Sequence, residues 1–232
     1  MLKIIKSVVK EILAAQGYEV CKQSSELQEV KMSDNTVAAF LYFKRVFDLI
    51  KGIDGDIVEC GVWKGVSLLM FSFLVRDEMK GRKLWGFDSF EGFPEPSIQD
   101  KSERDLKKGE YGNTSINEIK NLLIKSGLDE GFVRSQITLV KGFFNESLVK
   151  YTGSSIALLN LDVDLYDSYL TTLRELYPKV ARGGVILFDE YMGTDEHLKF
   201  PGAQKAIDEY FGENRSLISR DKVIGKYYLI KK

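Results

Sequence analysis

Histidine and cysteine are nearly missing from this chain of 232 residues, which has one of the first and two of the second, and only four prolines. Cys21 and Cys60 lie far apart with no His or further Cys beside either. They make neither a zinc site nor a disulfide framework, and they suit a reducing, cytoplasmic setting. Charge of one sign is missing too: 33 Lys+Arg against 34 Asp+Glu leave a net charge of -1. No general field draws in a phosphate backbone, so no nucleic-acid partner is expected. Long apolar runs are also absent. The longest uncharged stretches, Gly65 to Val75 and Tyr151 to Leu161, fall well short of the roughly 20 residues of a spanning helix, so no membrane partner is expected. The start, Met1-Leu2-Lys3-Ile4-Ile5-Lys6, lacks the apolar core and cleavage site of a signal peptide. With His197 alone available, proton transfer falls mainly to carboxylates.

What is present is a composition of 44% hydrophobic and 29% charged residues, which excludes a disordered or collagen-like chain. At this length one domain, 1–232, buries roughly 70 to 75% of its unfolded surface without needing a disulfide or structural metal. Residues 1–50 read as a helical extension, with Phe40, Phe43, Val46, Phe47 and Ile50 at three- and four-residue spacing. From Asp56 short apolar runs alternate with helical stretches. Ile57–Cys60, Lys83–Phe87, Ile137–Val140, Ile156–Leu161 and Val185–Phe188 read as buried strands. Leu68–Val75, Ser115–Lys125 behind the capping box Ser115-Ile116-Asn117-Glu118, Leu170–Tyr177 before Pro178 and Gly183-Gly184, and Ala203–Phe211 read as helices. The expectation is an α/β fold with a mainly parallel sheet covered on both faces. Leu217-Ile218 and Tyr227–Ile230 would close it as an antiparallel hairpin, giving seven strands. The polar segment 89–115 is too long for an ordinary connection and is a candidate lid loop.

Ligands of open α/β sheets bind beyond the carboxyl ends of the strands, and here those ends are acidic. The first strand runs into Glu59-Cys60-Gly61-Val62-Trp63-Lys64-Gly65. Its Gly-x-x-x-Gly spacing is not the Gly-x-Gly-x-x-Gly of a dinucleotide site, and the preceding acid would repel phosphate. A cationic ligand suits it better, against the plainer reading of a strand-to-helix turn. The second strand ends at Asp88, placed to accept both hydroxyls of a ribose or, alternatively, to cap a turn. Glu59, Gly61 and Asp88 together read as a site for S-adenosylmethionine, whose sulfonium is positive. If the fourth and fifth strands are neighbours, Asp162, Asp189 and Glu190 converge at one rim, and Asp162 and Asp164 share a face while the chain stays extended. Carboxylates so close repel unless a cation joins them. Oxygen donors without His or Cys point to magnesium, with manganese or calcium as substitutes; the alternative is helix capping and pairing with Lys or Arg.

These motifs, with Gly86-Phe87-Asp88-Ser89-Phe90-Glu91-Gly92, Lys141-Gly142-Phe143-Phe144, Leu161-Asp162-Val163-Asp164-Leu165-Tyr166-Asp167-Ser168 and Asp189-Glu190-Tyr191 in the same order, resemble the macrocin-type (TylF-like) sugar O-methyltransferases. The likeness runs from about Asp34 to the C-terminal hairpin. It implies a Rossmann-like class I methyltransferase fold that uses S-adenosylmethionine and Mg2+ to methylate a hydroxyl of a sugar or glycoside. Carried over by motif, Glu59, Gly61, Gly65, Asp88 and Ser89 would hold the cofactor, Gly142 and Phe143 would lie near the adenine, Asp162, Asp189 and Glu190 would be metal ligands, and Asp164 the general base. The family commonly has Asp-Asp-Tyr where this chain has Asp189-Glu190-Tyr191; glutamate keeps the charge and reaches further. Homo-oligomers are common in the family, and the aromatic N-terminal helices are the expected interface.

Other features have plainer readings beside the functional ones. His197 could touch the acceptor or lie on a surface loop; Trp63 and Tyr166 could stack on a ligand or pack the rim. Lys101 to Lys108 could meet an acceptor phosphate or form a solvated face. The acceptor is expected to be a small molecule or glycan. A catechol-type metal-dependent O-methyltransferase and a cofactor-binding homologue without catalysis are the alternatives, with a nicotinamide-dependent oxidoreductase disfavoured by the glycine spacing.

Overall fold

The structure is a computed structural model that describes residues 33–192 and 196–232, the backbone alone at 196 and 197. The helical reading of residues before 33 lies outside the described residues. Seven strands form one sheet in the order β3-β2-β1-β4-β5-β7-β6: β1 Asp56–Cys60, β2 Leu84–Asp88, β3 Ile137–Lys141, β4 Ile156–Leu161, β5 Val180–Phe188, β6 Ser219–Arg220 and β7 Tyr227–Ile230. β1 to β5 pair in parallel; β7 runs antiparallel between β5 and β6. The order reverses between β1 and β4, which opens a crevice at their carboxyl ends.

Alternation along the buried strands sends successive side chains to opposite faces. Leu159, Leu161, Ile186 and Phe188 join one core with α6 (Tyr166–Leu176) and α8 (Pro201–Phe211). Leu158, Val185 and Leu187 join the other, with α1 (Asp34–Leu49), α2 (Val66–Glu78) and α3 (Ile116–Lys125). The buried stripe of α1 is Tyr42, Val46 and Phe47, while Phe40 is at the surface. Ser115 caps α3 by accepting from Glu118 N–H, and Ile119, Leu122 and Leu123 are its buried face. Three further helices are α4 (Glu130–Gln136), α5 (Phe144–Ser147) and α7 (Glu196–Lys199).

Several elements differ from their sequence pattern. β5 starts at Val180, so Gly183-Gly184 lies inside the strand and not before it. The β4–β5 register shifts there, and Gly183 takes φ +81° where a Cβ would meet Ile53 at 2.8 Å. Leu217-Ile218 is not a strand; Leu217 ends a short 3₁₀ segment and the hairpin's first arm is Ser219–Arg220. α6 begins four residues before Leu170, because the Asp100 carboxylate accepts the Tyr166 N–H at 2.7 Å and replaces a local cap.

Candidate active site

β1 stops at Cys60 and the chain turns at once, with Gly61 at φ +86°, Trp63 at +42° and Gly65 at +77°. A Cβ on Gly61 would stand 1.7 Å from the Asp162 carbonyl oxygen. Gly61 N–H donates to Phe87 O at 2.9 Å and Asp162 N–H to Cys60 O at 3.0 Å, so the ends of β1, β2 and β4 close around that glycine. Asp88 reinforces the turn. Its Oδ2 accepts from Val62 and Trp63 N–H at 2.8 and 2.9 Å, and its Oδ1 from Phe90 N–H at 2.7 Å. Three of its roughly four lone-pair directions are therefore taken by backbone, leaving about one for a ligand hydroxyl.

Gly61, Asp88, Ser89, Gly142 and Phe143 all line a cavity of about 610 Å³ at the switch point, together with Asp162, Asp164, Asp189 and Glu190. That size suits a small-molecule ligand. Trp63 is also on the wall, edge-on to Tyr111 with ring centres 5.1 Å apart. Gly142 N–H donates to Asp88 O at 3.0 Å, which brings Phe143 to the same opening. Glu59 and Gly65 are not on the wall: Gly65 is the left-handed cap of α2, packed against Ile119 and Leu122 of α3. Tyr166 turns away to bond Glu209. The side chain of His197 lies outside the described residues.

The acidic residues do gather, in an arrangement the sequence pattern only partly anticipates. One carboxylate oxygen from each of Asp162, Asp164 and Glu190 lies within 4.8 Å of the others. Asp162 and Asp164 meet through a turn, not along an extended chain: Asp164 has φ +58°, and Leu165 N–H donates to Val163 O at 2.5 Å. Asp189 instead directs Oδ2 to Lys226 Nζ at 2.7 Å, and its carbonyl accepts from the same ammonium at 2.9 Å. Burial lowers the Lys226 pKa, but Asp189, Glu190 and Asp162 outweigh it and hold the ammonium charged. Glu190 is buried, hydrogen-bonded to the equally buried Tyr169. Burial first, then the charges of Asp164, Asp189 and Asp162, hold its carboxyl well above the usual range. An oxygen-only set of this density is the donor chemistry a hard divalent cation takes.

Glu59 lies fully buried with Oε1 accepting from Asn160 Nδ2 at 2.9 Å. Burial pushes its pKa up to about 8; Asp162 and Asp88 add to this, while Ser67 and Asn160 oppose it. A folded-state pKa above the unfolded 4.5 means the folded chain keeps a proton that the unfolded chain releases, so stability falls as pH rises from 4.5 to 8. Glu59→Gln, which keeps the acceptor for Asn160, removes that loss. The stability of Glu59→Gln relative to the parent should rise by roughly 1.4 kcal/mol per pH unit over this window and level off above it, in urea titrations from pH 5 to 9. A difference that does not change with pH would show that Glu59 stays ionised.

The segment 89–115 is folded on itself and walls the cavity. Phe93 N–H donates to Glu110 O, and Gly109 N–H to Phe93 O, both at 2.9 Å, while Phe93 and Leu106 enter the core. Arg104 bonds Glu110 and Tyr111 at 2.8 Å, so this part of the basic stretch closes on its own loop. Asp100 is not among the site residues expected from the sequence. Buried, it accepts from Ser97 N–H and Oγ with one oxygen and from Tyr166 N–H with the other, and Gly202 has no room for a Cβ beside it. It fastens the loop to α6 and α8. The spacing Ser97-Ile98-Gln99-Asp100, a cap signature, was the available signal.

This strand order, an antiparallel β7 between β5 and β6, and an acid-rimmed cavity at the switch point define a class I methyltransferase fold. The O-methyltransferase NovP has it, with a TM-score of 0.69 and 26% identity over 84% of this chain and 80% of that one. The calicheamicin methyltransferase CalS11 shares the fold at a TM-score of 0.75, with 24% identity over 85% and 80% of the two chains. The Macrocin-O-methyltransferase (TylF) family matches residues 43–217, and the chain belongs to that family. Among curated relatives, demethyldecarbamoylnovobiocin O-methyltransferase of Streptomyces niveus is 31% identical over 160 residues, 68% of this chain and 58% of that protein. Mycinamicin III 3''-O-methyltransferase of Micromonospora griseorubida is 25% identical over 166 residues, 68% and 61% of the two. The chain thus spans less than two thirds of the length of these relatives. No described helix is long and apolar enough to cross a membrane.

Proposed function

We propose that the chain is an S-adenosylmethionine-dependent O-methyltransferase acting on a sugar hydroxyl of a glycoside, as its relatives among the antibiotic O-methyltransferases suggest, assisted by magnesium. The observation that carries this reading is the acid cluster of Asp162, Asp164 and Glu190 in the cavity that Gly61 and Asp88 frame. The donor fits the cradle. Gly61 offers backbone without a side chain, Asp88 keeps one acceptor direction, and the surrounding carboxylates favour a positive sulfonium over a phosphate. Supporting the metal are three oxygen donors close enough to share one ion.

An ordinary carboxylate falls roughly 12 pKa units short of an alcohol about as weakly acidic as water. A divalent cation held there would narrow this gap by acidifying the bound hydroxyl, and the remainder is avoided because the proton leaves only as the oxygen is methylated. Asp162 and Glu190 would hold it, with Asp189 at the edge beside Lys226. Asp164 would accept the hydroxyl proton as the C–O bond forms and the sulfonium C–S bond breaks, its electron pair leaving on neutral S-adenosylhomocysteine, and the aromatic wall of Trp63, Phe93, Tyr111 and Phe143 would keep water from competing.

The test is methyl transfer from labelled donor to a panel of glycosides, with and without chelator. Turnover should fall at least about 100-fold on chelation and return with Mg2+ or Mn2+, while S-adenosylhomocysteine still binds by calorimetry. Equal turnover in chelator would remove the metal from the mechanism. Binding of NAD in place of S-adenosylhomocysteine would overturn the donor.

A further inference from the structure

Glu190 differs from Asp162 and Asp164 in length, with one more rotatable bond between its carboxyl and the backbone. A glutamate free to sample that bond would hold no fixed place in a three-oxygen cluster, since each unfixed rotamer costs ordering when a ligand binds. Here the side chain is 1% exposed and its Oε2 is hydrogen-bonded to the hydroxyl of Tyr169, itself fully buried on α6. That hydroxyl also stands 3.0 Å from the carbonyl oxygen of Leu161, the last residue of β4, to which Asp189 N–H donates at 3.0 Å. The single phenol proton goes to the Glu190 carboxylate when that group is ionised, so the hydroxyl stands between the end of β4, which leads into Asp162, and the segment after β5, which carries Glu190. The Tyr169 ring is packed in the core between sheet and helices, so the hydroxyl is a fixed post.

We propose that Tyr169 is a positioning residue for the acid cluster: its hydroxyl sets where the Glu190 carboxylate stands and thereby sets the affinity of the cluster for a divalent cation. This rests on the reading that the cluster binds such a cation. Groups that orient a ligand from behind typically change metal affinity by about 10- to 100-fold when removed.

Tyr169→Phe keeps the ring in the core and deletes the hydroxyl. The full chain with S-adenosylhomocysteine bound is titrated with Mn2+, followed by electron paramagnetic resonance and calorimetry. The expected result is Mn2+ affinity about 10- to 100-fold weaker in Tyr169→Phe, S-adenosylhomocysteine affinity within about twofold of the parent, and a rise of the same factor in the Mg2+ concentration giving half-maximal turnover. In the Glu190→Asp background, where the shortened carboxyl no longer reaches the phenol, Tyr169→Phe should cost much less, because the two changes break one contact. Unchanged Mn2+ affinity in a Tyr169→Phe protein that binds S-adenosylhomocysteine overturns the positioning role and leaves the cation reading standing. A parent that binds no Mn2+ overturns the cation reading and this inference with it. Should Tyr169→Phe fail to fold, p-methylphenylalanine at position 169 fills the space of the hydroxyl and supplies no donor; Mn2+ binding at the parent's affinity in that protein would then overturn the proposal.

Discussion

Gly61→Ala is expected to lower the unfolding free energy by about 3 to 5 kcal/mol, a fall in Tm on the order of 10 °C, and to abolish S-adenosylhomocysteine binding. Two costs combine. The backbone at φ +86° is strained for any residue with a Cβ, and that Cβ would lie 1.7 Å from the carbonyl oxygen of Asp162 and 2.7 Å from its carbon. Neither can be relieved by a side chain swinging away, because the obstacle is backbone held by Asp162 N–H to Cys60 O at 3.0 Å. Relief requires β1 and β4 to part where the cavity opens, which also displaces the acid cluster. Gly81→Ala is the matching control: Gly81 has φ +70° with nothing within 4 Å of a built Cβ, so it carries the conformational cost alone, about 1 to 2 kcal/mol. Thermal denaturation and calorimetric titration of both variants separate the two costs. If Gly61→Ala matched Gly81→Ala in Tm and bound S-adenosylhomocysteine normally, the close approach of β1 and β4 would not be what shapes the site.

The sheet was legible because its central strands are short, continuously apolar and bounded by turns, a pattern that burial on both faces imposes. β4 and β7 are reproduced to the residue. Elements held by distant partners were not. The early start of α6 depends on Asp100, 66 residues away, whereas α4 has a local Asp129 cap but is only seven residues long, too short for a clear periodic pattern. Gly183-Gly184 looked like a stop signal because glycine ends helices far more often than it bulges a central strand.

The site was legible as a set of acids at strand ends, since strand order alone brings those ends together. Which acids face one another depends on turn geometry and on partners far along the chain. Asp189 reaches Lys226 across 37 residues and Glu190 reaches Tyr169 across 21, and no local spacing encodes either contact. The left-handed backbone at Asp164 was equally silent. Among residues other than glycine, Asp and Asn adopt that conformation most readily, so this acid was compatible with the turn but did not announce it.

That same backbone makes Asp164→Asn the cleanest test of the proposed proton acceptor. Asparagine tolerates φ +58°, fills the same volume and can still accept a hydrogen bond, yet cannot take up a proton at neutral pH. Removing a general base typically costs about 10²- to 10⁴-fold, and the expected result is a fall of that size in kcat with S-adenosylhomocysteine affinity within about twofold of the parent. Because Asp164 also stands within 4.8 Å of Asp162 and Glu190, loss of charge could act by weakening a bound cation. The two routes are separable: a weaker cation site is overcome by raising Mg2+, whereas a missing base leaves kcat low at saturation. Near-normal turnover of Asp164→Asn at saturating Mg2+ would assign the proton to another group, and Asp162→Asn, tested in parallel, would then have to show the larger loss. On the proposed reading of Asp162 as a cation ligand, Asp162→Asn should instead raise the Mg2+ concentration needed for half-maximal turnover before it lowers kcat.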